Sequence, residues 1–209
     1  YDQHKPTNSL DTIVPDLATK WEWKNDKSKL TFTLRSGIKW HDGKAFSAKD
    51  VKCTWDLLQG KRKAKLRKNP RKAWYKNLDK VTADNDHQAT FHLKRKQPAF
   101  VALLASGYSP VYPCHVSPKK MRTHPIGTGP FKFVSLKQNE HVKFRKNENY
   151  WKAGKPHLDG INWTIIKSRS TRVLAFIAGK FDFTFNVDVT IPLLKDVKSQ
   201  APHTVCELV

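Results

Sequence analysis

Between Leu30 and Leu58 the spacing of apolar residues changes period within one short stretch, and that change constrains the fold more than any other feature. Leu30, Phe32 and Leu34 alternate with Thr31, Thr33 and Arg35, the two-residue period of a strand with one buried face. Ser36-Gly37 interrupts the run, Ile38 and Trp40 resume it, and His41-Asp42-Gly43-Lys44 predicts a tight turn in which Gly supplies positive φ. Ser47 and Asp50 then form a Ser-x-x-Asp capping pattern. Val51, Thr54, Trp55 and Leu58 follow at helical spacing. A strand, a turn and a capped helix predict a mixed α/β (α+β) chain.

The rest of the chain supplies the partners. Trp21 and Trp23 predict a short strand that pairs with Leu30–Leu34 as a hairpin, and Val81 to Leu93 reads as a second hairpin turning at Asp84-Asn85-Asp86. Pro98 to Ala105 predicts a compact apolar helix with Pro in its first turn. Two prolines stiffen Gly107 to Pro113. Gly127-Thr128-Gly129-Pro130 lacks the further residues of a phosphate or dinucleotide loop and reads as a turn feeding a strand. Val142 with Phe144, and Ile161 with Trp163 and Ile165, predict two more strands. Thr171 to Ala178 predicts a helix closed by Gly179, Phe181 to Phe185 a short strand, and Pro192 to Lys198 a last helix.

A length of 209 residues, 38% of them hydrophobic, allows roughly 70% of the unfolded surface to be buried, enough for a real core. Thirty-nine basic residues stand against 18 acidic ones, a formal charge of +21. Ten of the basic residues fall between Gly60 and Lys80, interleaved with Trp74 and Tyr75. That tract admits two readings. Leu66, Trp74, Tyr75 and Leu78 can form the buried stripe of surface helices whose lysines face water. Alternatively the Lys61 to Lys80 tract is a basic nucleic-acid-binding module, cations meeting phosphates and rings stacking on bases. The solvated-surface reading is the one adopted, and no nucleic acid is expected as a partner.

The cysteines Cys53, Cys114 and Cys206 carry no C-x-x-C spacing, so at most one internal disulfide forms. Buried free thiols are the expectation, with Cys114 to Cys206 the one pairing considered as an alternative. No apolar run reaches the length of a membrane helix, and the first residues do not read as a charged-then-apolar leader, so any signal peptide is expected to have been removed or to lie outside this sequence. Histidine and carboxylate spacings match no metal or nucleophile motif, so no cofactor, no metal and no enzymatic chemistry are expected.

Four ordered motifs carry a resemblance: Leu17-Ala-Thr-Lys-Trp-Glu-Trp23, Leu30-Thr-Phe-Thr-Leu-Arg35, Gly37-Ile-Lys-Trp-His-Asp-Gly43 and Phe46-Ser-Ala-Lys-Asp-Val51. Together with Gly127-Thr-Gly-Pro-Phe131, Asn147-Glu-Asn-Tyr-Trp151 and Gly179-x-x-Asp182, they resemble the family 5 extracytoplasmic solute-binding proteins, the peptide, nickel and oligosaccharide receptors of ABC importers. The resemblance implies a type II periplasmic-binding-protein lobe with a mixed sheet and β-hairpins. Residues 1–209 would be a partial first lobe, with 61–124 a helical and hairpin subdomain inside it and the second lobe absent. It also implies a monomeric receptor in the periplasm or another extracytoplasmic space, or associated with the membrane. Such a receptor captures a small solute, an oligopeptide by preference, and delivers it to a membrane permease.

Ligand contacts are expected on stiff loops at strand ends, where a concave site gathers a few polar groups. The candidates are Tyr108 and Ser109 in the proline-framed loop, and Phe185, Asn186 and Asp188 after the Gly-x-x-Asp segment. Asn186 can both donate and accept, which suits a peptide backbone, and Asp188 could attract an amino terminus.

Overall fold

The computed structural model describes residues 1–2, 5, 7–24, 26–185 and 187–205; Asn186 and Cys206 lie outside the described residues. Its seven strands are β1 (Ala18–Lys24), β2 (Lys29–Leu34), β3 (Leu78–Asn85), β4 (Gln88–Leu93), β5 (Phe131–Lys137), β6 (His141–Lys146) and β7 (Gly160–Thr164). The helices are α1 (Ala48–Gln59), α2 (Phe100–Ala105), α3 (Pro118–Met121), α4 (Arg169–Ile177) and α5 (Ile191–Gln200). By contact density the chain divides into two compact units: residues 1–134 with 144–161, and residues 135–143 with 162–209.

The first unit is built on a four-stranded sheet of order β1-β2-β4-β3, antiparallel at every pairing. Both expected hairpins are its edges, and β2 pairs with β4 to join them. Pleating puts Leu30 and Phe91 opposite one another on one face and Thr31 opposite Thr90 on the other, where the two hydroxyls meet at 2.9 Å. On the apolar face lies α1. Its Trp55 ring packs edge-on to Phe91, with centroids 4.9 Å apart, and Phe91 also meets Phe32 at 5.5 Å and Phe100 of α2 at 5.9 Å. Perpendicular and tilted ring pairs of this kind bring the positive edge of one ring to the negative face of the next.

The capped start of α1 forms as its sequence predicts. Ser47 Oγ accepts from the Lys49 amide and Asp50 Oδ2 accepts from the Ser47 amide at 3.0 Å. The helix ends at Gly60, whose φ of +77° is the left-handed geometry that Gly adopts without strain. The His41–Lys44 turn likewise forms, with Gly43 at φ +89°.

Three expectations are corrected. The basic tract is not a pair of surface helices: 61–69 is irregular, Pro70–Tyr75 is a 3₁₀ turn, and Leu78 already opens β3. Pro70 cannot continue a helix from 61–69, having no amide hydrogen to donate. Tyr75 and Leu78 are buried as expected, but Trp74 is not. Phe181 to Phe185 adopts no strand. Finally, Cys114 bonds to Cys53 and not to Cys206. Sequence spacing gave no hint of this, because the loop after α2 is brought onto α1 by other contacts: the Cys114 amide donates to Asp50 Oδ1 at 2.9 Å and the Tyr112 amide to Thr54 Oγ1 at 2.8 Å.

The three-stranded sheet has the order β5-β6-β7. In the second unit, α4 starts at Ser168, whose hydroxyl accepts from the Thr171 amide, and Gly179 follows its end at φ +68°. Among the described residues of this unit, Val173, Val197 and Ala201 are the buried apolar side chains.

Candidate ligand-binding surfaces

In the first unit, an apolar groove of about 530 Å³ runs between residues 13–18, α2 and the sheet, lined among others by Trp21, Phe32, Leu104 and Val111. Its volume falls in the range of small-molecule pockets. Ser109 borders it, but the Ser109 hydroxyl is committed elsewhere. Oγ donates to the Leu103 carbonyl at 2.8 Å, so it can only accept from the Tyr75 hydroxyl, also at 2.8 Å. Burial pushes the Tyr75 phenol above its ordinary range, which keeps that donor protonated. Ser109 therefore fixes the loop that carries Tyr108.

Tyr108 itself points away from the core and is 67% exposed. Its ring meets Trp74, 42% exposed, at 5.7 Å and nearly perpendicular, and its carbonyl accepts from Arg71 at 2.6 Å. The other arm of the Arg71 guanidinium donates to the Tyr112 hydroxyl. Tyr108 thus belongs to the surface of the basic tract, a link of 34 residues that no sequence period reveals.

The second unit holds Phe185 and Asp188. Asp188 is 5% exposed, and its Oδ1 lies 2.5 Å from Arg172 Nη2. Arg172 Nη1 donates to the carbonyls of Ile166 and Lys167, and Arg169 Nε donates to the Asp188 carbonyl at 2.9 Å. Two arginines one helical turn apart on α4 therefore staple Asp188 and the residues that follow it to the start of that helix. The sequence reading missed both; the Arg-x-x-Arg spacing ahead of an apolar helix was their only trace. The staple leaves Phe183 and Phe185 at the surface, 73% and 52% exposed, with rings 5.7 Å apart and Phe185 edge-on to Trp163. Such a surface offers ring faces and edges to a solute, while the Asp188 charge is already neutralised by Arg172.

Among the described residues, no three His, Cys, Asp or Glu side chains gather as a metal site. The nearest pairing is Asp42 with His115, at 2.7 Å. No described helix is long and apolar enough to cross a membrane.

A family model described as bacterial extracellular solute-binding proteins, family 5 Middle, matches residues 12–203. The chain belongs to that family. The glutathione-binding protein GsiB of Pectobacterium atrosepticum is 33% identical to it over 182 residues, covering 84% of this chain and 34% of that protein. Among solved structures, the oligopeptide-binding protein AppA from Bacillus subtilis, in complex with a nonapeptide, superposes with a TM-score of 0.74 at 27% identity, covering 88% of this chain and 36% of AppA. NikZ from Campylobacter jejuni, in complex with Ni(L-His), gives 0.68 at 28% identity, covering 80% of this chain and 34% of NikZ. The family 5 chain therefore spans about a third of the length of these relatives, and its mixed α/β architecture is that of type II periplasmic binding proteins.

Proposed function

We propose that this family 5 chain is part of the substrate-binding component of an ABC importer, capturing a small peptide-class solute outside the cytoplasm for delivery to a membrane permease. Binding and release, with no bond made or broken, are its whole activity. The observation that carries the peptide assignment is the 33% identity to a glutathione-binding protein. Glutathione, dipeptides and oligopeptides share amide groups and ionised ends, which one set of donors and ring faces can hold. In this reading Phe185 and Asn186 contact solute and Asp188 holds their segment in place, whereas Ser109 fixes the loop that carries the outward-facing Tyr108.

Ligand would be held by closure of two lobes about a hinge, so affinity reflects the closed form's added contacts. Thermal unfolding of the intact protein, with glutathione, di- to pentapeptides and nickel–histidine each added in turn, tests the assignment. A ligand that binds only the folded state raises the midpoint. A rise with glutathione or a short peptide is expected; a rise with nickel–histidine alone would refute the peptide class. The 209-residue segment by itself should bind the same ligand more weakly than about 10 μM, because one lobe cannot close.

A further inference from the structure

We infer that the outer face of the first unit, formed by the 60–80 tract with Trp74 and Tyr108, is a docking surface for an anionic bilayer. The inference rests on the importer reading for its biological sense and on the following observations for its chemistry. The tract holds ten basic residues against one acidic residue, Asp79, a net +9. Eight of the ten side chains are exposed; Arg62 and Arg71 are half-buried.

None of the ten pairs with a carboxylate among the described residues. The ion pairs among the described residues all lie elsewhere. Their recorded partners are neutral instead: Lys61 donates to the Asp79 carbonyl, Lys65 to the Gly60 carbonyl, Arg62 to Cys53 Sγ and Arg71 to Tyr108 and Tyr112. Folding also concentrates the charge. The Lys65 and Lys72 ammonium groups both lie within 4 Å of where a Cβ on Gly60 would sit. Lys61, Lys72 and Lys76 line a shared depression of about 790 Å³, to which Lys94 is added from outside the tract. Like charges held this close repel, and an anionic partner relieves the repulsion.

The surroundings favour a bilayer over nucleic acid. The exposed Trp74–Tyr108 pair beside lysines has the amphipathic character of side chains that settle at the headgroup level. Moreover, the loop bearing Tyr108 is tied to α1 by the Cys53–Cys114 disulfide, a bond that persists in oxidising compartments, away from the nucleic acids of the cytosol. A bilayer is also where a solute receptor must meet its permease.

The test is co-sedimentation of the intact protein with vesicles of phosphatidylcholine alone or with about a third phosphatidylglycerol, at about 0.05 M and about 0.5 M salt. Binding is expected only with phosphatidylglycerol and at the lower salt. The triple substitution Lys63→Gln, Lys68→Gln and Lys72→Gln, all at exposed sites, should weaken it about a hundredfold, since each lysine near such a surface contributes a factor of about five. Trp74→Ala should weaken it further. Equal loss from a control triple at Lys20, Lys143 and Lys180 would overturn the assignment of this face. So would displacement by about 10 mM inorganic phosphate at constant ionic strength, which marks a site for a single free anion, or salt-dependent binding of single-stranded DNA as tight as that of the vesicles. The tract triple should keep its ligand-induced thermal shift; loss of that shift in the unsubstituted protein bears on the importer reading alone.

Discussion

His41 shows how one side chain fixes a turn and ties it to a distant loop. Its Nδ1 accepts from the Gly127 amide at 3.1 Å, so that nitrogen carries no proton, and Nε2 donates to the Gly129 carbonyl at 3.0 Å. Burial, helped by nearby Lys132, lowers the His41 pKa below 6.5, against the Gly129 bond and Asp42, which act to raise it. Burial, with Lys80 and Lys29, also lowers that of His92. A histidine whose pKa is depressed by folding binds more protons unfolded than folded, so the stability it confers is full above 6.5 and is lost as pH falls toward its folded pKa. Urea unfolding between about pH 7.5 and pH 5 should show a declining midpoint, and His41→Gln should flatten part of that decline, leaving the share of His92. Gly160 makes a second residue-scale prediction. A Cβ there would lie 2.7 Å from the Phe144 carbonyl oxygen on the neighbouring strand, too close for either backbone to yield freely. Gly160→Ala should cost about 1–3 kcal/mol, read from the urea midpoint.

At the scale of elements, α1 is the piece to which the first unit is fastened. Its Asp50, 5% exposed, accepts from three donors: the Ser47 amide, the Trp40 indole N–H at 3.2 Å and the Cys114 amide. Only the first was legible, as a local capping pattern. Asp50→Ala should strand the buried Trp40 indole N–H, free the half-buried Cys114 amide and destabilise the unit by about 3 kcal/mol or more, measured by chemical denaturation. The Cys53–Cys114 bond closes a loop of 61 residues. Reduction under native conditions, or Cys114→Ala, should lower stability by about 4 kcal/mol through the freedom restored to the unfolded chain. That loss should add poorly to the loss from Asp50→Ala, since both release the loop at 112–114 from the same helix.

For the whole molecule, the contrast lies in how much apolar surface each unit buries. The first has a continuous core from Leu30 through Trp55 and Phe91 to Val101; the second buries Val173, Val197 and Ala201 and leaves Leu174, Val187 and Ile191 exposed. Amide exchange should therefore be slowest in β2, β4 and α1 and faster throughout α4 and α5, with protection rising there when the chain is part of a longer family 5 protein. Equal protection of both sets in the 209-residue segment would count against this. The two hairpins, the Asp-Gly turn, the capped helix and the family itself could be read from the sequence because each is written in residues a few positions apart, where spacing alone decides which face or which amide a side chain can reach. The sequence also marked Tyr108, Ser109 and Asp188 as worth attention, but not what they do. Ser109 turned inward to Tyr75, Asp188 was taken by Arg172 and Arg169, and Tyr108 was laid against Trp74. Those outcomes, like the choice of Cys53 over Cys206 for Cys114, depend on which surfaces pack together across tens of residues. Only the assembled core brings such groups within bonding distance.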